Sequence, residues 1–140
     1  MQTASRSVVL FTRGGLLLLW MMVIFTFSSL SGSAYPFEPP LLYYLERKGA
    51  HFVEYAILML LAVRFVFILF PHEVLKKILA VAAVFAITYG VMDELHQFFV
   101  PYRGAKMSDV LIDGLGVGMM GLGIWLVAYL RYQKTPPRSE

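Results

Sequence analysis

The amino-acid sequence predicts an all-α membrane protein, a four-transmembrane-helix bundle with both termini cytoplasmic. Three observations carry that expectation. The 140 residues are 59% hydrophobic with a mean hydropathy of +0.68, too apolar for a soluble domain of this length. Four stretches, residues 14–30, 50–70, 78–100 and 110–130, come close to or exceed the roughly 20 mostly apolar residues that a spanning helix needs. The cations around them are unevenly shared. Arg6, Arg13, Lys76, Lys77, Arg131, Lys134 and Arg138 fall on one side, and Arg47, Lys48, Arg103 and Lys106 on the other. The richer side is assigned to the cytoplasm. A single membrane domain is expected over residues 1–140, with 131–140 as a flexible tail.

The first stretch has two readings. Arg6 and Arg13, an apolar run and then Ser31-Gly32-Ser33-Ala34 resemble a signal peptide with a small-residue cleavage site. The run is longer than an ordinary signal core, and Trp20 with the Met21-Met22 pair suits a retained span. In both readings residue 35 onward starts outside. Tyr35-Pro36-Phe37-Glu38-Pro39-Pro40 is expected to be a stiff connector, because proline fixes its own backbone and restricts its predecessor. Residues 41–45 can begin an interfacial helix leading into the second span, with Tyr43 and Tyr44 at headgroup level. Arg64 lies late in that span, where it can snorkel to the inner interface, and Pro71 ends it. Val100-Pro101-Tyr102-Arg103-Gly104 reads as a tight outer turn. The fourth span carries Gly114, Gly116, Gly118, Gly121 and Gly123. Gly114 and Gly118, four apart, are expected to form a helix-packing surface, which also allows self-association through this helix.

Several classes are excluded or disfavoured. There is no cysteine, hence no disulfide or thiolate chemistry. The net charge of +3 is explained by cations flanking spans, so no nucleic-acid partner is expected. No Gly-rich phosphate loop, serine-nucleophile motif or zinc-protease motif is present. Lys76 and Lys77 suit anionic headgroups, Glu46 and Arg47 read as solvated interface residues, and His72 lies on the inner side, away from any outer site.

Chemistry concentrates at the outer ends of spans two, three and four. The first group is Lys48, His51 and Glu54, with Arg47 beside it; the second is Asp93, Glu94, His96 and Gln97; the third is Arg103, Lys106, Asp109 and Asp113. Ionisable groups in a span are costly and mark function. At 3.6 residues per turn Lys48, His51 and Tyr55 share a stripe, Tyr89, Asp93, His96 and Gln97 share another, and Asp109 and Asp113 lie one turn apart. Antiparallel helices with short loops bring three such sets together. Imidazoles and carboxylates can bind a divalent metal ion, the same groups can act as acid and base, and Lys48 and Arg103 can hold a phosphate or carboxylate. The competing structural reading is a satisfied polar network that fixes helix register.

Three segments carry a resemblance: Lys48-Gly49-Ala50-His51-Phe52-Val53-Glu54-Tyr55, the run Asp93-Glu94-Leu95-His96-Gln97 that continues to Pro101 and Arg103, and Ser108-Asp109 through Asp113-Gly114-Leu115-Gly116. Together they resemble the signatures of the VanZ-like family of small integral membrane proteins, K-x-x-H-F-x-E-Y, D-E-x-H-Q-x-F-x-P-x-R and D-x-x-x-D-x-x-G. The resemblance covers about residues 45–130. Tyr102 departs from it, standing where the family often has glycine. The family is named for an accessory protein of teicoplanin resistance. The resemblance implies a multi-pass protein of the bacterial plasma membrane acting on the cell envelope.

The functional expectation is an extracytoplasmic polar pocket from helices two, three and four. It engages an anionic envelope component, a lipid-linked precursor or phospholipid headgroup, and contributes to envelope function or glycopeptide tolerance. His51, Glu54, Asp93, Glu94, His96 and Asp113 are the candidate catalytic residues. Lys48, Tyr55, Gln97, Arg103 and Asp109 are the candidate binding residues. A membrane-embedded, metal-dependent hydrolase or transferase is the first alternative. A small proton-coupled transporter is the second, disfavoured because no charge lies at the middle of a span.

Overall fold

The computed structural model describes residues 5–32 and 41–134. The expected connector at 35–40, the interfacial side chains Tyr43 and Tyr44, and the end of the tail from 135 lie outside the described residues. Four α-helices account for nearly all of the rest: α1 (Arg6–Ser29), α2 (Leu41–Leu69), α3 (Leu75–Gln97) and α4 (Met107–Lys134). All four are long and apolar enough to cross a membrane. Even α3, the shortest at 23 residues, reaches about 35 Å at 1.5 Å per residue, against a hydrocarbon core of about 30 Å.

The helices extend past the apolar runs at their polar ends. Ser5 caps α1 by accepting from the Val8 amide, which satisfies one of the free donors of the first turn. At the same end of the bundle Arg6 donates to the Ile68 carbonyl and Arg13 to that of Arg64, at 3.3 and 2.9 Å. At the other end α2 starts at Leu41, so the segment before His51 is helical as well. α4 starts at Met107, which places Asp109 in its first turn, where the helix dipole favours a negative charge.

α2 is the central helix and touches the other three; α3 and α4 pack on it and on each other, while α1 touches α2 and α3 but not α4. The buried stripe of each helix follows the 3.6-residue period and changes character along its length. In α3 it runs Ile78, Ala82, Ala86, Gly90, then Asp93, Glu94 and Gln97. In α2 it runs His51, Tyr55, Leu58, Met59, Ala62, Val63 and Val66. Each of these two stripes is therefore apolar along most of its length and polar or charged at one end. Large apolar side chains elsewhere, such as Phe11, Met22, Leu115 and Met119, are exposed, as a surrounding bilayer requires.

One expectation about helix packing is corrected. Nothing lies within 4 Å of a Cβ built at Gly114 or at Gly118, so these two form no packing surface within the chain. The close approach is at Gly116. There a Cβ would overlap the Phe52 carbonyl oxygen of α2 and come 3.2 Å from the Ala56 nitrogen. Gly116 lies about 200° around the helix from each of the other two. The second small-residue seam, Ala82, Ala86 and Gly90 on α3, lies on a helix that the glycine count did not single out.

The α3–α4 turn is tight. Tyr102 adopts φ 57°, the left-handed region that favours glycine. The Gly32 amide donates to the Pro101 carbonyl at 3.1 Å, and a Cβ at Gly32 would overlap the Tyr102 carbonyl. The end of α1 is thereby held against this turn.

Candidate functional site

One end of the bundle holds Ser28, His51, Asp93, Glu94, Gln97, Asp109 and Asp113, all buried. Their side chains form three connected groups, each explained by the face of the helix from which it projects.

The first group joins α3 to α1. Asp93 Oδ2 accepts from Ser28 Oγ at 2.7 Å and from Gln97 Nε2 at 2.9 Å, and Gln97 Nε2 also reaches Ser28 Oγ at 3.2 Å. Arg47 donates to Gln97 Oε1 at 3.0 Å, and Arg103 to the Ser28 carbonyl at 2.8 Å. Ser28 is the residue that the sequence reading missed. Its one visible signal is that a small polar residue ends an otherwise apolar span.

The second group joins α2 to α4. His51 Nδ1 lies 3.1 Å from Asp113 Oδ1. Tyr55, fully buried, sits one turn below His51. The Tyr55 hydroxyl and Asp113 Oδ2 have no hydrogen-bond partner. Both flank Gly90, where a Cβ would stand 3.1 Å from the Tyr55 ring and 3.2 Å from Asp113 Oδ2.

The third group lies at the start of α4. Asp109 accepts from Ser108 Oγ at 3.0 Å and faces Lys48 Nζ at 3.7 Å and Arg47 Nη2 at 4.0 Å. Glu94 points away from α1, because it lies about 100° around α3 from Asp93. Its Oε2 accepts from the Lys106 amide at 2.8 Å, while Oε1 is buried without a partner. One oxygen or nitrogen from each of His51, Glu94 and Asp109 lies within 4.8 Å of the other two.

His96 stands apart from these groups. Its ring stacks on Phe25 of α1 with centroids 4.6 Å apart, and Nε2 is 3.0 Å from Ser29 Oγ. It shares a face with Asp93 but looks outward along α1, so the two histidines do not meet. Glu54 is half-buried; its backbone carbonyl accepts from Trp20 Nε1 at 2.9 Å, another tie between α1 and α2.

A pocket of about 430 Å³ opens at this end, lined by Phe27, Ser28 and Leu30 of α1, by Glu46, Arg47, Ala50, His51 and Glu54 of α2, and by Arg103. Its walls thus come from α1, α2 and the α3–α4 turn, in place of the expected helices two, three and four. A smaller pocket of about 160 Å³ lies over the start of α4, lined by Arg47, Lys48, Lys106, Ser108 and Asp109. Arg47 borders both.

The arrangement of these motifs along the chain is matched by the family model described as VanZ/LLP1, over residues 14–129. The chain belongs to the VanZ/LLP1 family. It is an integral, multi-pass membrane protein of that family. The match starts within α1 and ends within α4, so it includes the helix that carries Ser28. No curated protein and no solved structure matches the chain.

Proposed function

We propose that this VanZ/LLP1 protein engages an anionic envelope component, a lipid-linked precursor or a phospholipid headgroup, in the pocket between α1 and α2. The observation that carries the reading is the pocket's composition. Two guanidinium side chains, Arg47 and Arg103, stand beside exposed Phe27 and Leu30 in one cavity. Guanidinium forks bind phosphate oxygens, and the apolar rim suits the first carbons of an acyl or prenyl chain. A volume near 430 Å³ falls within the usual range of small-ligand sites. The test uses purified protein in nanodiscs, titrated with phosphatidylglycerol and with a polyprenyl pyrophosphate. Arg47→Ala and Arg103→Ala are each expected to weaken binding by about tenfold or more, since a hydrogen bond to a charged group contributes about 1.5–3 kcal/mol. Unchanged affinity in both variants sinks the proposal.

The site faces outward if both termini are cytoplasmic, as the cation distribution supports. The chain has no native cysteine, so single cysteines report cleanly. Ser108→Cys is expected to react with an impermeant thiol reagent on intact cells, and Gln133→Cys is not. The opposite pattern removes the basis for an extracytoplasmic site in the bacterial plasma membrane.

A second reading, a membrane-embedded, metal-dependent hydrolase or transferase, is favoured by three buried polar atoms without partners: the Tyr55 hydroxyl, Glu94 Oε1 and Asp113 Oδ2. Unpaired buried groups are costly, and they persist where chemistry needs them. Phosphate release from the same lipid probes distinguishes this reading from binding alone.

A further inference from the structure

Beside the pocket lies a set of groups of which only His51 lines it. His51 of α2, Glu94 near the end of α3 and Asp109 in the first turn of α4 converge with ligand-capable atoms within 4.8 Å of one another. Their residues are 5%, 3% and 3% exposed. Proximity of acidic groups is not enough to define a site, but two independent features point to a cation.

The first is the state of the carboxylates. Glu94 Oε2 is held by the Lys106 amide, which fixes the group, and Oε1 is left buried without a partner. Asp109 already faces Lys48 and Arg47. A buried carboxylate oxygen left without a partner is expensive. The second feature is the support behind His51. Asp113, 1% exposed, sits on Nδ1 at 3.1 Å. A carboxylate on one ring nitrogen sets the tautomer, holds the ring and leaves Nε2 as a lone-pair donor. That is the arrangement found behind metal-ligating histidines.

We propose that His51, Glu94 and Asp109 bind one divalent transition-metal ion, with Asp113 as the residue that orients His51. One imidazole with two carboxylates suits zinc or manganese. Bonds of roughly 2.0–2.2 Å place neighbouring ligand atoms about 3–3.5 Å apart, so small rotamer changes of Glu94 and Asp109 close the set on the ion. Lys48, with its side chain 40% exposed, turns to solvent as the ion takes over the charge of Asp109. His51 also lines the larger pocket, and this gives the ion a way in.

The test uses full-length protein purified without a histidine tag, stripped with a chelator and dialysed against Zn²⁺ or Mn²⁺. Bound metal is counted by mass spectrometry, and the melting temperature is followed. Roughly one ion per chain and a raised melting temperature are expected for one of the two metals. Glu94→Gln retains shape and the Lys106 contact, and is expected to lower affinity at least tenfold. Asp113→Asn is expected to lower it about 10–100-fold, the usual effect of losing such support. His96→Ala is expected to bind as the unsubstituted protein does. Negligible binding of both metals by the native chain overturns the proposal, as does undiminished binding by Glu94→Gln and Asp113→Asn. His51→Ala adds a third test, but the two conservative variants decide the matter even if His51→Ala does not fold. No lipid enters this assay and no metal is needed in the nanodisc titration, so the two proposals fail separately.

Discussion

Gly116→Ala is expected to destabilise the protein strongly, and Gly118→Ala, two residues along the same helix, to leave it as stable or more so. The difference is one methyl group in each case. At Gly116 that methyl overlaps the Phe52 carbonyl oxygen and crowds the Ala56 nitrogen. Both obstacles are backbone atoms of α2, which cannot rotate away as a side chain does. The α2–α4 contact, the most extensive in the bundle, must open to admit it. Overpacking of a close-packed interior costs about 1–3 kcal/mol and sometimes more, and a backbone obstacle belongs at the upper end. At Gly118 nothing lies within 4 Å, and replacing a helical glycine with alanine removes a propensity penalty of about 1 kcal/mol. Thermal melts in detergent, with size-exclusion profiles to check dispersity, give the answer. Equal effects at the two positions would mean that α4 is rotated from the orientation described.

Asp93→Ala is expected to be the most destabilising substitution among the polar residues of the outer end. Its Oδ2 receives two hydrogen bonds, from Ser28 and Gln97, and their loss leaves buried donors unpaired at about 1–3 kcal/mol each. Asp93→Asn retains an acceptor oxygen and is expected to be milder. Ser28→Ala combined with Asp93→Ala should cost less than the sum of the two single changes, because each removes the same bond. Asp113→Asn is expected to behave differently. One Asp113 oxygen has no partner, so neutralising this carboxylate costs little stability, while ligand or metal binding suffers. This divides residues that the sequence motifs place side by side: Asp93 bonds α3 to α1, and Asp113 and Glu94 each carry an oxygen without a partner. A melting temperature that falls as far in Asp113→Asn as in Asp93→Ala would erase the distinction.

The depth of each polar group was legible from sequence, because charges adjoining apolar runs mark the interface and the number of spans sets which ends adjoin. That reasoning placed His51, Glu54, Asp93, Glu94, Asp109 and Asp113 at one level. Rotation of each helix about its own axis was less legible. Asp93 and Glu94 are adjacent in sequence, yet they face α1 and the start of α4 respectively. His96 was grouped with His51 by depth, and its ring lies on Phe25 instead. The glycines of α4 show the same limit. Gly116 continues the line of Asp109 and Asp113 and closes the third motif, but spacing points to Gly114 and Gly118 for packing, and the neighbour across the interface selects Gly116 instead. The part taken by α1 was least legible of all. Between Arg13 and Ser28 it carries no ionisable residue, so no polar stripe marks the face that packs, and its buried positions are just Leu17, Ile24 and Ser28 among the described residues.

That sparse contact of α1 bears on how the protein is made. The helix leaves the ribosome before α2, α3 and α4, and part of what holds it is made well after it. Met21 waits for the Tyr89 hydroxyl, Ser28 for Asp93, and the Ser28 carbonyl for Arg103. Until the third helix has entered the bilayer, α1 has only its contacts with α2, among them Arg6, Arg13 and Trp20 on α2 carbonyls, and its mostly apolar surface suits it to lipid. The same evenness that hides its packing face lets it rest on α2 alone and lock when α3 and the following turn arrive, so one wall of the pocket between α1 and α2 is made early and secured late.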